Sequence, residues 1–166
     1  MILNNNELLS KAEQTVTLLK EKNLKIATAE SCTGGMVSSY LTSVSGVSDV
    51  FELGVTSYSC RIKNEVLSVD KDTLQKFGAI SESTAKQMAE NVRKLSDADI
   101  GVSVTGAAGP KGSEGHNAGY VLVALSDADA TIVKQLDIEP LNRNFVREQT
   151  VLNLFEIIIK YLEEKF

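Results

Sequence analysis

Stretches with helical and with strand-like spacing of apolar residues alternate along the chain. Apolar side chains recur every three or four positions over residues 5–22, which predicts a helix. Residues 25–30 form a short apolar run that is typical of a buried strand, and residues 35–42 return to helical spacing. This early alternation favours an α/β protein over an all-helical or all-strand one.

The alternation continues to the C-terminus and ends in a long, broadly apolar helix. That helix should be largely buried or form an oligomer contact, because its apolar positions exceed one face. Mixed strands and helices with a late hairpin predict a single α/β/α layered sandwich with a mixed sheet over residues 1–166. The remaining predicted elements are a turn at 45–48, strands at 52–60 and 100–104, helices at 70–78, 82–95 and 143–164, and a hairpin of 119–125 with 130–138.

Composition limits the classes of binding partner and the cellular compartment that we expect for this protein. The chain has 166 residues, a net charge of −5 and a pI near 5.0, which argues against nucleic-acid binding through a broad basic face. No apolar run approaches the ~18 residues of a membrane span, and the polar segment 1–11 is not a signal peptide. Cys32 and Cys60 form neither a disulfide framework nor zinc spacing, so we expect a reduced, cytoplasmic protein that binds no metal.

Ser31 is the candidate nucleophile because of where it falls in the pattern. It ends the predicted strand at 25–30, and Gly34 and Gly35 follow just before the next helix. Backbone N–H groups at a helix start bind anions and stabilise a developing oxyanion, so we expect residues 32–35 to supply such groups. The alternative is that Ser31 only caps the helix.

Two further segments lie at predicted strand ends, where ligands gather in layered α/β folds. The first segment runs from Tyr58 to Lys63. Lys63 is a candidate base, and a serine with a lysine but no nearby histidine suggests a Ser-Lys pair. The second segment begins at Thr105 and Gly106 and is rich in glycine. Each of these features has an alternative interpretation without a functional role. Lys63 could be a solvated helix lysine, Tyr58 a half-buried strand aromatic, and the glycine-rich run a turn. The only histidine, His116, has no obvious nucleophile beside it.

Four blocks in matching order resemble the CinA C-terminal domain family, over about residues 8–162. Its members include stand-alone nicotinamide mononucleotide deamidases, and the pairing of E-S-C-T-G-G with a later T-G-x-A-G-P is specific. The blocks lie at 28–35, at 54–59 with Lys63, at 78–82 and at 104–110.

The resemblance implies an amidohydrolase that converts nicotinamide mononucleotide to nicotinate mononucleotide and ammonia, with no cofactor or metal. The family's Ser-Lys pair and assisting tyrosine match Ser31, Lys63 and Tyr58. It also implies a single α/β/α domain, a small nucleotide as the substrate and a homodimer, with no membrane partner. Substrate contacts are then expected from Cys32, Thr33, Gly34, Gly35, Thr105, Gly106 and Arg143.

The chain departs from the family pattern after Pro110. The usual K-P-V-G-T segment is replaced by residues 111–120, and Cys60 stands where the family has asparagine. Two alternatives to the deamidase therefore stay open: a weak or inactive nucleotide-binding or regulatory module of the same fold, and an amidase for another small amide.

Overall fold

The computed structural model describes residues 5–166 as one α/β domain. The first four residues of the predicted 1–166 domain, including part of the polar N-terminal segment, lie outside the described residues. The helices are α1 (Asn5–Glu21), α2 (Met36–Thr42), α3 (Cys60–Glu65), α4 (Lys71–Phe77), α5 (Glu82–Ser96) and α6 (Arg143–Lys165). The strands are β1 (Ile26–Glu30), β2 (Phe51–Thr56), β3 (Ile100–Gly106), β4 (Tyr120–Ser126) and β5 (Thr131–Asp137).

The strands form one mixed sheet in the order β2-β1-β3-β4-β5. The first three strands of this order run parallel to one another, and β4 and β5 are antiparallel additions. Helices α1, α2 and α6 pack together against one face of the sheet, and α5 covers the other face with α4 beside it. The predicted α/β/α layered sandwich with a mixed sheet is therefore confirmed.

Two predictions of local structure need correction. The strand predicted for residues 52–60 ends at Thr56, and Cys60 begins the helix α3, which the sequence pattern did not predict. Ser59 is the N-cap of this helix, because its hydroxyl accepts the Ile62 N–H at 3.2 Å. The turn predicted at 45–48 runs into a short 3₁₀ helix, Val47–Asp49.

The predicted helix after Asp70 is present, but the aspartate does not cap it with its side chain. The carboxylate instead accepts from the Gln87 side chain on α5, at 3.1 Å. Among residues 5–166, no helix is both long enough and apolar enough to cross a membrane.

The two faces of β3 carry side chains of different size. Ile100, Val102 and Val104 enter the core beneath α1 and α6, whereas the alternate positions toward α5 are small. A Cβ atom at Gly101 would lie 2.2 Å from the Ala89 carbonyl oxygen of α5. The absent side chain lets α5 approach the sheet closely at this position.

We expect Gly101→Ala to lower the free energy of unfolding by at least about 2 kcal/mol, because backbone atoms of α5 occupy the space that the new methyl group needs. Gly115→Ala is the matched control. Nothing lies within 4 Å of a Cβ there, so only the cost of its positive φ of 82° remains, about 1 kcal/mol. Denaturant unfolding measures both, and an equal loss in the two variants would contradict the close-approach argument.

Candidate active site

The candidate site lies where the three parallel strands end. Strand β1 lies between β2 and β3, so the carboxyl ends of all three meet at one edge of the sheet. Ser31 directly follows β1, Tyr58 follows β2 by two residues, and Gly106 is the last residue of β3. Ligands in open α/β sheets bind at such an edge, beside the point where chain connections diverge.

A buried carboxylate holds the turn that carries Ser31. The Glu30 side chain, only 1% exposed, accepts the backbone N–H groups of Gly35, Val37 and Ser38 at 3.1, 3.0 and 2.9 Å. These N–H groups belong to the start of α2, which has no intrahelical partners for them. The negative charge also faces the positive end of the helix dipole. Glu30 therefore fixes the chain that follows Ser31. Ser31 itself is fixed by its own N–H, which donates to the Val104 carbonyl at 2.9 Å.

This arrangement changes the predicted oxyanion site. The Gly35 N–H is bound to Glu30, and the Gly34 N–H bonds the Ser31 carbonyl at 3.1 Å. Both glycine N–H groups are therefore occupied, contrary to the expectation from sequence. Within the described part of the turn, the backbone N–H groups of Cys32 and Thr33 donate to no other backbone group, and the Cys32 N–H lies against its own thiol. Of these two residues, Cys32 lines the cavity and Thr33 is fully buried, so Cys32 is the remaining oxyanion donor of residues 32–35.

Lys63 lies on α3 with its side chain fully buried. Its Nζ donates to the Ser57 carbonyl at 2.7 Å and lies 3.0 Å from the Ser31 hydroxyl oxygen. Burial lowers the pKa of Lys63 below its usual 10.5, against smaller opposing effects from the Cys60, Cys32 and Glu114 side chains. No carboxylate within the described residues forms an ion pair with it. A lysine placed in this way can be neutral and accept a proton from Ser31.

Cys32 is close to Ser31 but is a poor nucleophile in this environment. Its side chain is buried, and that burial raises the pKa of the thiol to about 11. The thiolate is the reactive form of cysteine, so almost none would be present at neutral pH. The serine hydroxyl is the group that has a base beside it.

Ser31 and Lys63 open into a cavity of about 200 Å³ at the edge of the sheet. Thr105 is one of its walls, with its hydroxyl donating to the Ala79 carbonyl at 2.7 Å. Ligand pockets usually measure about 300–1,000 Å³, so this cavity suits the reacting end of a small molecule more than a whole nucleotide. Its other lining residues are Cys32, Tyr58, Ile80, Gly106, Ala107, Ala108, Gly109, Lys111, Ser113, Glu114 and Arg143.

Tyr58 and Arg143 meet at the mouth of this cavity. One guanidinium nitrogen of Arg143 donates to the Tyr58 hydroxyl at 3.1 Å, and another donates to the Gly109 carbonyl at 2.6 Å. The Tyr58 side chain is 65% exposed and its ring hydroxyl is bound to neither Ser31 nor Lys63. Arg143 thus joins the loops after β2 and β3 across the opening.

Three of the predicted substrate contacts do not line the cavity. Thr33 is fully buried, and its carbonyl accepts from Arg147 at 2.8 Å. Gly34 and Gly35 form the turn behind the nucleophile, with φ values of 63° and 95°. These three residues therefore shape the turn, while Cys32, Thr105, Gly106 and Arg143 face the cavity.

Glu114 lines the cavity and His116 contacts its wall residue Ile80, but neither had a role in the sequence prediction. The Glu114 carboxylate accepts the Ile80 N–H at 2.9 Å, and the His116 ring pairs with the Ile80 carbonyl at 3.1 Å. The His116 ring also stacks on Tyr120 with ring centres 4.1 Å apart. No short motif signals such a contact, because it joins residues more than 30 positions apart. Among residues 5–166 no group of three or more His, Cys, Asp and Glu side chains is arranged to hold a metal ion.

The fold and the site define a class: three-layer α/β/α proteins with a buried serine–lysine pair at the edge of the parallel strands. The sequence profile of the CinA C-terminal domain matches residues 8–162. The chain belongs to the CinA C-terminal domain family.

Solved structures and sequence relatives agree with this assignment. The competence/damage inducible protein CihA from Agrobacterium tumefaciens has a TM-score of 0.91 and 33% identity, with 99% of this chain and 100% of that chain covered. The competence damage-inducible protein A (ComA) from Klebsiella pneumoniae has a TM-score of 0.93 and 28% identity, with 96% and 99% covered.

A protein of Acetivibrio thermocellus, provisionally named a competence-damage inducible protein, is 48% identical over 146 residues, which is 87% of this chain and 35% of that protein. The CinA-like protein of Thermotoga neapolitana is 40% identical over 154 residues, or 92% of this chain and 37% of that one. The chain thus spans about a third of the length of these curated relatives.

The burial of Lys63 predicts a stability effect that depends on pH. The unfolded chain binds more protons than the folded protein between the lowered folded pKa and 10.5, so the free energy of unfolding rises with pH across that window. We expect Lys63→Met to raise the free energy of unfolding at pH 7 by about 1 kcal/mol, with the gain shrinking as the pH approaches 10.5. Denaturant unfolding at several pH values measures this, with the exposed Lys71→Met as the control. A Lys63→Met protein less stable than the parent at pH 7 would show that the amine is a net stabilising group.

Proposed function

We propose that this protein is an amidohydrolase that converts nicotinamide mononucleotide to nicotinate mononucleotide and ammonia. The observation that carries the proposal is the 3.0 Å contact between the Ser31 hydroxyl and a fully buried Lys63 amine. Family membership supports the site assignment, since the blocks that match the family include Ser31, Tyr58 and Lys63. The names of the relatives state no reaction, and the substrate is proposed on the family resemblance and the chemistry of the site.

The first half of the reaction is attack on the carboxamide. Neutral Lys63 takes the Ser31 proton while the serine oxygen bonds to the amide carbon, and the carbonyl electron pair moves to its oxygen. The backbone of Cys32, which lines the cavity, supplies the N–H of this turn that is available for that oxyanion. A pyridinium ring beside the site adds positive charge that favours the neutral form of the lysine.

The second half releases both products. The tetrahedral centre collapses, the carbon–nitrogen bond breaks, and the proton held by Lys63 converts the leaving NH₂ group to ammonia. Water then attacks the acyl-serine, with Lys63 again as the base, to give the carboxylate and restore the Ser31 hydroxyl. Each proton removed from a nucleophile is returned to a leaving group, so no cofactor is required.

The charges around the cavity fit the two ends of such a substrate. Glu114 supplies a carboxylate on the wall, whereas Lys111 and Arg143 supply cations toward the mouth. A cavity of about 200 Å³ accommodates the nicotinamide ring, and the ribose phosphate would extend toward the cations. A neutral amide of the same size would lack the contact with Glu114.

We expect the purified protein to release ammonia from nicotinamide mononucleotide, and Ser31→Ala to reduce that release by at least about 10³-fold because the nucleophile is removed. Coupled ammonia detection and chromatography of the nucleotide measure the two products. Cys32→Ala is the comparison, and its loss should be far smaller because the thiol is not the reacting group. Near-normal turnover by a folded Ser31→Ala protein would reduce Ser31 to a structural residue of the turn.

We further expect Lys63→Arg to be nearly as inactive as Lys63→Ala, because a guanidinium keeps its proton at all working pH values. The loss should appear in kcat, at about 10²-fold or more, and substrate binding should persist. Steady-state kinetics with circular dichroism of each variant separates chemistry from misfolding. An active Lys63→Arg protein whose Lys63→Ala counterpart has a raised KM would instead assign Lys63 to electrostatic binding.

A further inference from the structure

The Ser57 hydroxyl is buried and has no hydrogen-bond partner among residues 5–166. Buried hydroxyl groups are nearly always paired, so an unpaired one beside an active site requires a reason. The carbonyl of the same residue accepts from the Lys63 Nζ at 2.7 Å. The unpaired hydroxyl therefore belongs to the residue whose backbone already holds the candidate base.

Strand register places Ser57 in a row of three hydroxyl residues. Glu30 pairs with Thr56 of β2 and with Val104 of β3, so the next residues of the three segments lie side by side. Those residues are Ser57, Ser31 and Thr105, and the last two have partners in Lys63 and Ala79.

The three hydroxyls share a face of the sheet. Ala29 and Val55, two positions before Ser31 and Ser57, pack in the cluster beneath α5. Since side chains alternate along a strand, the row continues on the α5 face, where Lys63 approaches Ser31. The Ser57 hydroxyl is thus on the same side of the sheet as the amine.

The number of hydrogen-bond acceptors that the Lys63 amine needs changes when it takes up a proton during the reaction. A neutral amine donates two N–H bonds and accepts one, whereas an ammonium donates three. The Ser57 carbonyl takes one of these at 2.7 Å, and Ser31 loses acceptor strength once its oxygen is acylated. The remaining contact, the Tyr58 carbonyl, lies at 3.5 Å, which is long for a hydrogen bond.

We propose that Ser57 is a positioning residue whose hydroxyl rotates to accept the third N–H of Lys63 when that amine carries the proton. This inference rests on the proposed Ser-Lys reaction. The hydroxyl is unpaired in the resting structure because its partner exists only in the protonated state of the lysine. It acts on the reaction through Lys63 and has no contact with the substrate.

The proposal predicts a direction for the titration of Lys63. An acceptor that serves only the ammonium stabilises the charged form, so its loss lowers the pKa of Lys63 further. The other titratable groups that face this amine are the Cys32 and Cys60 thiols and the Glu114 carboxylate, and the Tyr58 carbonyl is the nearest additional dipole. None of these groups changes in a Ser57→Ala protein.

The first test follows the ¹³Cε resonance of Lys63 against pH by NMR, with the resonance assigned from its loss in Lys63→Met. We expect the Ser57→Ala midpoint to lie lower than that of the parent by about one pH unit, and Ser57→Thr to restore it. Ser103→Ala is the matched control, because it removes another buried strand hydroxyl on the α5 face, bonded to the Ala85 carbonyl and not to Lys63. Coincident parent and Ser57→Ala midpoints overturn the proposal.

The second test uses the ammonia assay. We expect kcat of Ser57→Ala to fall about tenfold with KM unchanged, and the acid limb of its pH profile to move to lower pH. A purely structural role for Ser57 would leave that limb in place, which also overturns the proposal. If the parent protein releases no ammonia, the proposed reaction fails, and the NMR titration still decides whether Ser57 serves the Lys63 ammonium.

Discussion

The candidate site depends on one buried amine that has no carboxylate partner among the described residues. Lys63 is fully buried, and its contacts are a hydroxyl and two backbone carbonyls. An ion pair would stabilise the ammonium and remove the base, whereas burial alone favours the neutral amine. Burying Lys63 lowers the stability of the folded state. The surrounding layers must therefore hold the amine in place.

The layered fold followed from the sequence because its signals are local. Apolar spacing predicted the sheet strands and the long helices, and strand ends predicted which segments share one edge of the sheet. Helix α3 was missed because it has only six residues and its polar start, Ser59, follows directly on strand-like sequence. The location of Lys63 on a helix, and hence its reach to Ser31, depends on that missed element.

The role of Glu30 shows a different limit of sequence reasoning. Its position before Ser31 was visible, but a strand residue's side chain was not expected to occupy three N–H groups of the next helix. With that carboxylate in place, the start of α2 is closed to a phosphate or an oxyanion. Arg143 and Lys111 are the cationic side chains near this cavity that remain open to an anion, since both line it.

The atypical segment after Pro110 bears on whether the candidate site is catalytically active. A loop that departs from the family pattern would favour a regulatory module if it left the cavity wall unsupported. Here Glu114 binds the Ile80 N–H and His116 binds the Ile80 carbonyl, so both backbone groups of one wall residue are held by this loop. The same wall carries Ala79, whose carbonyl receives the Thr105 hydroxyl. The departure in sequence therefore leaves the cavity wall supported and the Ser31–Lys63 contact intact.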